Sequence, residues 1–198
     1  PSLLCVLIAG TGWGWGSQRL LTTPTDPVQS VRIVDVGVPQ QDKKIPSLHI
    51  EIIRAYLRAT GDDFPAEPRL IVWPEGALPV TLIQEPDVLD AVTERLGERT
   101  LITGTVRVDR LQSPQVFFNS LAVLTAESRL RGARTIYDKH RLVPFGELPA
   151  SKIVPFGDRI SNLLPSALQR LAKSGFTPGP RGEALDLPDG SKFLPLIC

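Results

Sequence analysis

The chain has 198 residues, which is within the size range of one domain and enough to bury a hydrophobic core. Its 22 basic and 21 acidic residues leave a net charge of +1, so charge gives no reason to expect a nucleic-acid partner, and we predict none. The 19 prolines and 16 glycines are dispersed between apolar runs, which favours a loop-rich globular domain over a disordered one. Cys5 and Cys198 lie in dissimilar contexts and predict neither a disulfide framework nor a metal site; Cys5 is predicted to be buried or lipid-facing, and inert.

The first 16 residues are predicted to be the end of a membrane segment. An almost wholly apolar run from Leu3 is followed by Trp13 and Trp15 among glycines. The run is too short to span a hydrocarbon core, which needs roughly 20 residues, but tryptophan favours the membrane–water interface. We therefore expect residues 1–16 to be the tail of a transmembrane helix, and an ordinary buried strand or helix is the alternative. Because the chain contains no methionine and ends within an apolar run, we interpret it as part of a longer polypeptide, lacking sequence on both sides.

Residues 31–198 are predicted to form one α/β domain, joined to the apolar segment by a linker over residues 17–30 that is rich in Thr, Pro, Ser and Gln. Runs rich in valine and isoleucine predict strands, and apolar residues at helical spacing predict helices. Two strand–helix alternations followed by several strands favour a central mixed sheet. The predicted strands are Val31–Val38, Arg69–Trp73, Thr100–Val108, Val116–Leu124, Thr135–Tyr137 and Phe193–Ile197, and the predicted helices are Ser47–Thr60 and Pro86–Leu96.

Reactive side chains follow three of these predicted strands. Glu75 comes after an apolar run that breaks at a proline, and Lys139 and Glu147 lie on the irregular segment after Tyr137. Cys198 ends the last apolar run. A thiol, an ammonium group and a carboxylate held at strand ends are suited to acyl transfer through a covalent intermediate.

These segments resemble the carbon–nitrogen hydrolase (nitrilase) superfamily, and most closely its apolipoprotein N-acyltransferase family. The element Trp73-Pro74-Glu75 is typical of the superfamily, whereas a lysine followed by Val-Pro-Phe-Gly-Glu, here within Lys139–Glu147, is specific to the acyltransferase branch. The resemblance extends from about Val31 to Cys198. The remaining segments that carry it are Leu196-Ile197-Cys198, Leu101-Ile102-Thr103-Gly104, Phe118-Asn119-Ser120 and Phe176-Thr177-Pro178-Gly179.

The resemblance implies a fold, an activity and a location. The fold is an α-β-β-α sandwich, truncated here at its C-terminus because family members continue past the nucleophile. The implied activity moves a fatty acyl chain from a phospholipid, through a cysteine thioester, to the N-terminal amine of a diacylated lipoprotein, and it requires no cofactor or metal. The catalytic domain would be carried on transmembrane helices in the bacterial inner membrane and would face the periplasm. The alternatives are a soluble amidase or nitrilase with the same triad, and an inactive truncated domain.

The chemistry and the resemblance together assign roles to four residues. A thiol attacks an ester as the thiolate, so Cys198 is predicted to be the nucleophile and Glu75 its general base. Lys139 would stabilise the oxyanion of the tetrahedral intermediate. Glu147 corresponds to a second essential glutamate of the family, and it would fix Lys139 or assist proton transfer; a helix-cap or surface role is the alternative. His140 is predicted to be structural.

Residues 148–175 mix large aliphatic side chains with lysine and arginine. Such a stretch is typical of a segment that lies on a membrane surface, and a plain helix packed on the domain is the alternative. Pro149, Pro155, Gly157 and Pro165 argue against one long helix. We expect a mobile, lipid-facing arm near the mouth of the site.

Overall fold

The computed structural model describes residues 2–22, 30–61, 68–113, 115–144, 147–148 and 175–197. Cys198, residues 149–174 of the predicted arm and residues 23–29 of the predicted linker lie outside the described residues. The helices are α1 (Ser2–Thr22), α2 (His49–Thr60), α3 (Pro86–Leu96) and α4 (Ser128–Arg131). The strands are β1 (Val31–Ile33), β2 (Leu70–Val72), β3 (Thr100–Asp109), β4 (Val116–Leu124), β5 (Thr135–Asp138), β6 (Leu185–Asp186) and β7 (Lys192–Phe193).

In the described part of the chain, five strands form one mixed sheet in the order β1-β2-β3-β4-β5. The first three strands are parallel, whereas β4 runs antiparallel to both β3 and β5. Strands β6 and β7 form a separate antiparallel pair. The central mixed sheet predicted from the succession of elements is therefore confirmed, and it brings the ends of β2 and β5 to opposite sides of the long β3–β4 hairpin.

Most of the predicted elements have the expected bounds. Helix α3 and strand β4 begin and end at the predicted residues, and α2 begins at His49 after a 3-10 turn over Pro46–Leu48. Strand β1 is shorter than predicted, since it ends at Ile33 and only the Val34 N–H extends its pairing, by donating to the Val72 carbonyl at 2.9 Å. Beyond the strand, Gly37 has a φ of +65°, and its N–H donates to the Asp35 carboxylate at 2.9 Å.

The predicted strand over Phe193–Ile197 is wrong. Strand β7 ends at Phe193, and the following residues are irregular. Pro195 has no N–H to donate to a strand ladder, which explains why pairing stops before it. Leu194 and Leu196 are 57% and 84% exposed, so the residues that lead to Cys198 do not form the buried strand that we predicted.

The N-terminal segment is a helix whose large apolar side chains are exposed. Helix α1 continues to Thr22, which makes the first six residues of the range interpreted as a linker helical. Its side chains include Leu3 and Trp13, which are 75% and 80% exposed, so the alternative of a buried element is wrong. Cys5 on this helix is exposed as well. In the described residues, no helix is both long enough and apolar enough to cross a membrane.

The sheet has an apolar layer on each face. Helices α2 and α3 cover one face, where alternate strand residues such as Ile71, Leu101 and Leu124 are fully buried. Alternation along a strand turns the neighbouring residues to the other face. On that face Leu70, Ile102 and Val123 pack with Leu187 and the partly buried Phe193, from the β6–β7 segment.

A buried hydrogen bond fixes the end of β2, close to the predicted base. The Trp73 side chain is 2% exposed, and its indole Nε1–H donates to the Thr60 hydroxyl at 2.9 Å. The Trp73 ring also packs on the Tyr56 ring, with centroids 4.8 Å apart. Helix α2 therefore holds the chain two residues before Glu75.

We predict that Thr60→Val lowers the free energy of unfolding by about 1–3 kcal/mol, because it leaves the buried Trp73 donor without its acceptor. Denaturant unfolding followed by tryptophan fluorescence measures the change. Thr93→Val is the matched control, since Thr93 is equally buried but its hydroxyl only donates to carbonyls of its own helix. An equal loss in both variants would contradict the proposed role of the Trp73 hydrogen bond.

Candidate active site

Glu75 lies in a tight turn directly after β2. The Trp73 N–H donates to the Ile102 carbonyl at 2.9 Å, and the Ala77 N–H closes the turn on the Pro74 carbonyl at 3.2 Å. The turn packs closely on β3, because a Cβ atom added at Gly104 would lie 2.8 Å from the Glu75 Cα. The side chain of Glu75 remains 45% exposed.

Lys139 follows β5 and is buried, with a relative exposure of 2%. Its backbone is held on both sides: its N–H donates to the Asn119 carbonyl of β4 at 2.8 Å, and its carbonyl accepts from the Gly179 N–H at 2.9 Å. Gly179 lies so close to Asp138 that it has no room for a side chain. These contacts fix the direction in which the lysine side chain enters the domain.

Glu147 is hydrogen-bonded to the backbone of its own loop through both its main chain and its side chain. Its N–H donates to the Val143 carbonyl at 2.9 Å, and its carboxylate Oε2 accepts from the Val143 N–H at 2.8 Å. Its carbonyl accepts from the Phe176 N–H at 2.8 Å. This carboxylate is largely buried, with 11% of the side chain exposed, so the surface alternative for Glu147 is wrong.

The ammonium of Lys139 lies between two carboxylates. Its Nζ is 2.9 and 2.8 Å from the Glu147 oxygens Oε1 and Oε2, and 3.9 Å from Glu75 Oε1. The Asn119 amide nitrogen Nδ2 donates to Glu75 Oε1 and to Glu147 Oε1, each at 2.6 Å. We call Glu75, Asn119, Lys139 and Glu147 the polar cluster.

The pKa of Glu147 is lower than its ordinary value of 4.5. Burial alone would raise the pKa of this carboxyl group. Hydrogen bonds from Lys139, from the Val143 N–H and from Asn119 outweigh that effect, and the positive charge of Lys139 adds to them. Glu147 is therefore a permanently ionised partner for the buried ammonium at neutral pH.

A cleft of about 600 Å³ opens next to the polar cluster. Lys139 forms part of its wall together with basic side chains and the segment that leads to Cys198. The cleft thus has both basic and apolar side chains in its lining. Its lining includes His140, Arg141, Arg181, Leu194, Leu196 and Ile197.

Three of the four residues predicted for the site lie together, and Cys198 lies outside the described residues. Asn119 was quoted from the sequence only as part of a matching segment, and nothing in the sequence indicated its contact with both glutamates. His140 contacts the Gly179 carbonyl at 2.9 Å through Nδ1 and lies outside the polar cluster. Among the described residues, no group of three or more His, Cys, Asp or Glu residues is arranged to hold a metal ion.

A second polar contact ties β3 to β5 beside the cluster. The Arg107 guanidinium donates to both Asp138 oxygens, at 3.1 and 2.6 Å, and it lies 4.1 Å from the centroid of the Phe118 ring. The Ser120 hydroxyl donates to Asp138 at 2.6 Å. The hydrogen bond to Asp138 raises the pKa of Arg107 above its ordinary value, so the guanidinium remains charged.

The chain is similar in sequence to bacterial apolipoprotein N-acyltransferases. The chain is 34% identical to the apolipoprotein N-acyltransferase of Allorhizobium ampelinum over 93% of its length, 32% identical to that of Agrobacterium fabrum over 98%, and 33% identical to that of Caulobacter vibrioides over 94%. The resemblance inferred from the motifs is confirmed: the chain is a relative of the apolipoprotein N-acyltransferases. It spans 35%, 37% and 35% of the length of these three relatives.

The chain is not matched by a family model, and its likeness to solved structures is weak. A glutamine-dependent NAD+ synthetase from Acinetobacter baumannii, solved in complex with adenosine diphosphate, is similar in structure with a TM-score of 0.45 and 16% identity, over 75% of this chain and 24% of the synthetase.

The lowered pKa of Glu147 gives a prediction about acid stability. A carboxylate whose pKa is lowered by folding stabilises the protein above its unfolded pKa, and this stabilisation is lost as the pH falls below about 4.5 towards the folded pKa. In that range, Glu147→Gln should reduce the slope of unfolding free energy against pH by up to about 1.4 kcal/mol per pH unit, the equivalent of one proton. Denaturant unfolding at several acid pH values measures it. Glu98→Gln removes an exposed carboxylate as the control, and an unchanged slope in Glu147→Gln would contradict the prediction.

Proposed function

We propose that this chain carries the catalytic residues of an apolipoprotein N-acyltransferase, an enzyme that moves a fatty acyl chain from a phospholipid to the N-terminal amine of a diacylated lipoprotein. One observation carries the proposal: the motif residues Glu75 and Glu147 lie together around the buried ammonium of Lys139, in a chain whose relatives bear that name. Burying a lysine with carboxylates costs desolvation free energy, so such a group adds little to the stability of the fold. Buried charged groups of this kind are common at functional sites, which favours a catalytic role.

The first half of the reaction forms a thioester on Cys198. Glu75 takes the thiol proton, and the sulfur attacks the ester carbonyl carbon of the phospholipid. The Lys139 ammonium stabilises the resulting oxyanion. The bond between the carbonyl carbon and the ester oxygen then breaks, and the lysophospholipid leaves with the proton held by Glu75.

The second half transfers the acyl chain. The N-terminal amine of the lipoprotein attacks the thioester carbonyl, and Lys139 again stabilises the oxyanion. Glu75 accepts a proton from the amine as the new carbon–nitrogen bond forms. The carbon–sulfur bond breaks, the thiolate leaves, and the proton on Glu75 returns to the sulfur, which restores the starting state.

The cleft beside Lys139 is suited to the acyl donor. A phospholipid carries a phosphate and apolar chains, and the cleft has Arg141 and Arg181 on its wall with Leu194 and Leu196 nearby. Arginine is favoured for binding phosphate because its guanidinium offers several donors in a fixed plane. We therefore assign the phosphate to the arginine side and the acyl chain to the leucine side.

The membrane attachment and the complete fold are part of the same proposal. The exposed apolar side chains of α1, with Trp13 and Trp15, are suited to contact with lipid, and we propose that the domain faces the periplasm at the bacterial inner membrane. The packing of Leu187 and Phe193 on the second face of the sheet supports the α-β-β-α sandwich. Residues 148–175 remain our proposal for the lipid-facing arm.

Hydrolysis of small amides by the same triad is the second candidate from the sequence. Water would then replace the lipoprotein amine as the acceptor. The exposed apolar helix and the half-apolar cleft favour a lipid donor over a small amide. The names of the relatives favour transfer over hydrolysis.

We predict that the protein, at its natural length and incubated with phospholipid, gains one fatty acyl group on Cys198, as detected by mass spectrometry. Glu75→Gln should slow this acylation by roughly 10²–10⁴-fold, the usual contribution of a general base. Lys139→Ala should lose at least about 3 kcal/mol of transition-state stabilisation, as for a lost oxyanion donor. Circular dichroism checks that both variants fold. Acyl transfer that persists in Cys198→Ala would rule the mechanism out.

A second prediction concerns the donor. Arg181→Glu should raise the KM for phospholipid at least about tenfold, because a hydrogen bond to a charged group is worth about 1.5–3 kcal/mol. Acylation by a neutral ester without phosphate should change little. Arg131→Glu, which reverses an exposed charge on α4, is the matched control. Equal effects on the phospholipid and the neutral ester would contradict the assignment of the phosphate to this side of the cleft.

A further inference from the structure

Asn119 occupies the centre of the polar cluster. It lies on β4 and is 7% exposed. The amide nitrogen of asparagine has two hydrogens to donate. Here Nδ2 lies 2.6 Å from Glu75 Oε1 and 2.6 Å from Glu147 Oε1, so both hydrogens are directed at carboxylates.

The chemistry of the two neighbours fixes the orientation of this amide. If the amide were turned over, its carbonyl oxygen would face two carboxylate oxygens, and nothing would be donated between them. The nitrogen is therefore the atom that faces both glutamates. Because Glu147 is also held by Lys139 and by the Val143 N–H, it is the fixed side of the bridge.

Glu75 is held less firmly than Glu147 by the lysine. The Lys139 Nζ is 2.8 Å from Glu147 Oε2 but 3.9 Å from Glu75 Oε1, whereas the Asn119 amide reaches Glu75 at 2.6 Å. The side chain of Glu75 is also 45% exposed, so packing alone leaves it room to move. A general base must be held within hydrogen-bonding reach of the proton that it takes.

We propose that Asn119 is a positioning residue for the thiol-activation step. It acts by holding the Glu75 carboxylate at a fixed position beside Lys139 and Glu147. This inference rests on the proposed function, since it takes Glu75 as the base for Cys198. Asn119 itself takes no proton. A neutral amide suits this task because it binds both carboxylates and leaves the charge of Lys139 to stabilise the oxyanion.

A double-mutant cycle tests the inference, with the rate at which iodoacetamide alkylates Cys198 as the readout. This rate reports activation of the thiol without any lipid substrate. Asn119→Ala should slow alkylation by at least about tenfold, as a part of the roughly 10²–10⁴-fold that base catalysis supplies. In a Glu75→Gln background, Asn119→Ala should not slow alkylation further, because a residue that acts only through the Glu75 carboxylate has no effect once that carboxylate is removed.

Two further variants separate positioning from a general loss of structure. Asn119→Asp keeps the shape of the side chain but places a carboxylate oxygen against both glutamates. Because like charges disfavour ionisation, the fall in alkylation rate on the acid side of its pH profile should shift to higher pH. Ser120→Ala removes a buried hydroxyl from the next residue of β4, where it donates to Asp138 and not to the polar cluster. It should lower the melting temperature and leave the alkylation rate near normal.

The outcomes are distinct. A near-normal rate in Asn119→Ala, or an equal further loss in the Glu75→Gln background, overturns the positioning role while the proposed function stands. A rate unaffected by Glu75→Gln itself overturns the positioning role and the assigned base together. If alkylation behaves as expected but phospholipid does not acylate Cys198, the positioning role holds and the proposed acyl transfer fails.

Discussion

The buried ammonium of Lys139 is the constraint on which the rest of the site depends. An unpaired charge inside a protein is unstable, and removing one partner of a buried ion pair costs about 3–5 kcal/mol. The lysine is stable here because Glu147 lies 2.8 Å from it and Glu75 lies 3.9 Å from it. Any arrangement of the loops that moved Glu147 away would leave the ammonium without its close partner, so the buried lysine constrains the loop that carries Glu147.

Backbone contacts bring these three side chains to one point. The turn that carries Glu75 approaches β3 so closely that only glycine fits at position 104, and Lys139 is hydrogen-bonded to β4 on one side and to Gly179 on the other. The loop that carries Glu147 is closed by its own side chain through Val143. Each partner is thus supported by a different element of the fold.

The sequence predicted the sheet and the charged members of the cluster, but not the contacts between them. Helix α3 could be read from the helical spacing of its apolar residues, and strand β4 from an apolar run that is bounded by turn residues. The contacts of Asn119 could not be predicted from the sequence, because they depend on how β4 pairs with β3 and with β5. The strand expected up to Ile197 was wrong because pairing ends before Pro195, and an apolar run alone does not show whether a partner strand is available.

The two glutamates lie in environments that suit two different tasks. Glu147 is 11% exposed, and its hydrogen bonds keep its pKa low, so it remains an anion beside Lys139. Glu75 is 45% exposed and farther from the ammonium, which suits the role of base that we propose for it. Enzymes that use two carboxylates commonly separate their roles by environment in this way. Under the proposed function, a neutral amide suits the position between them, because it joins the more exposed carboxylate to the buried one without adding a charge that would compete with Lys139 for the oxyanion.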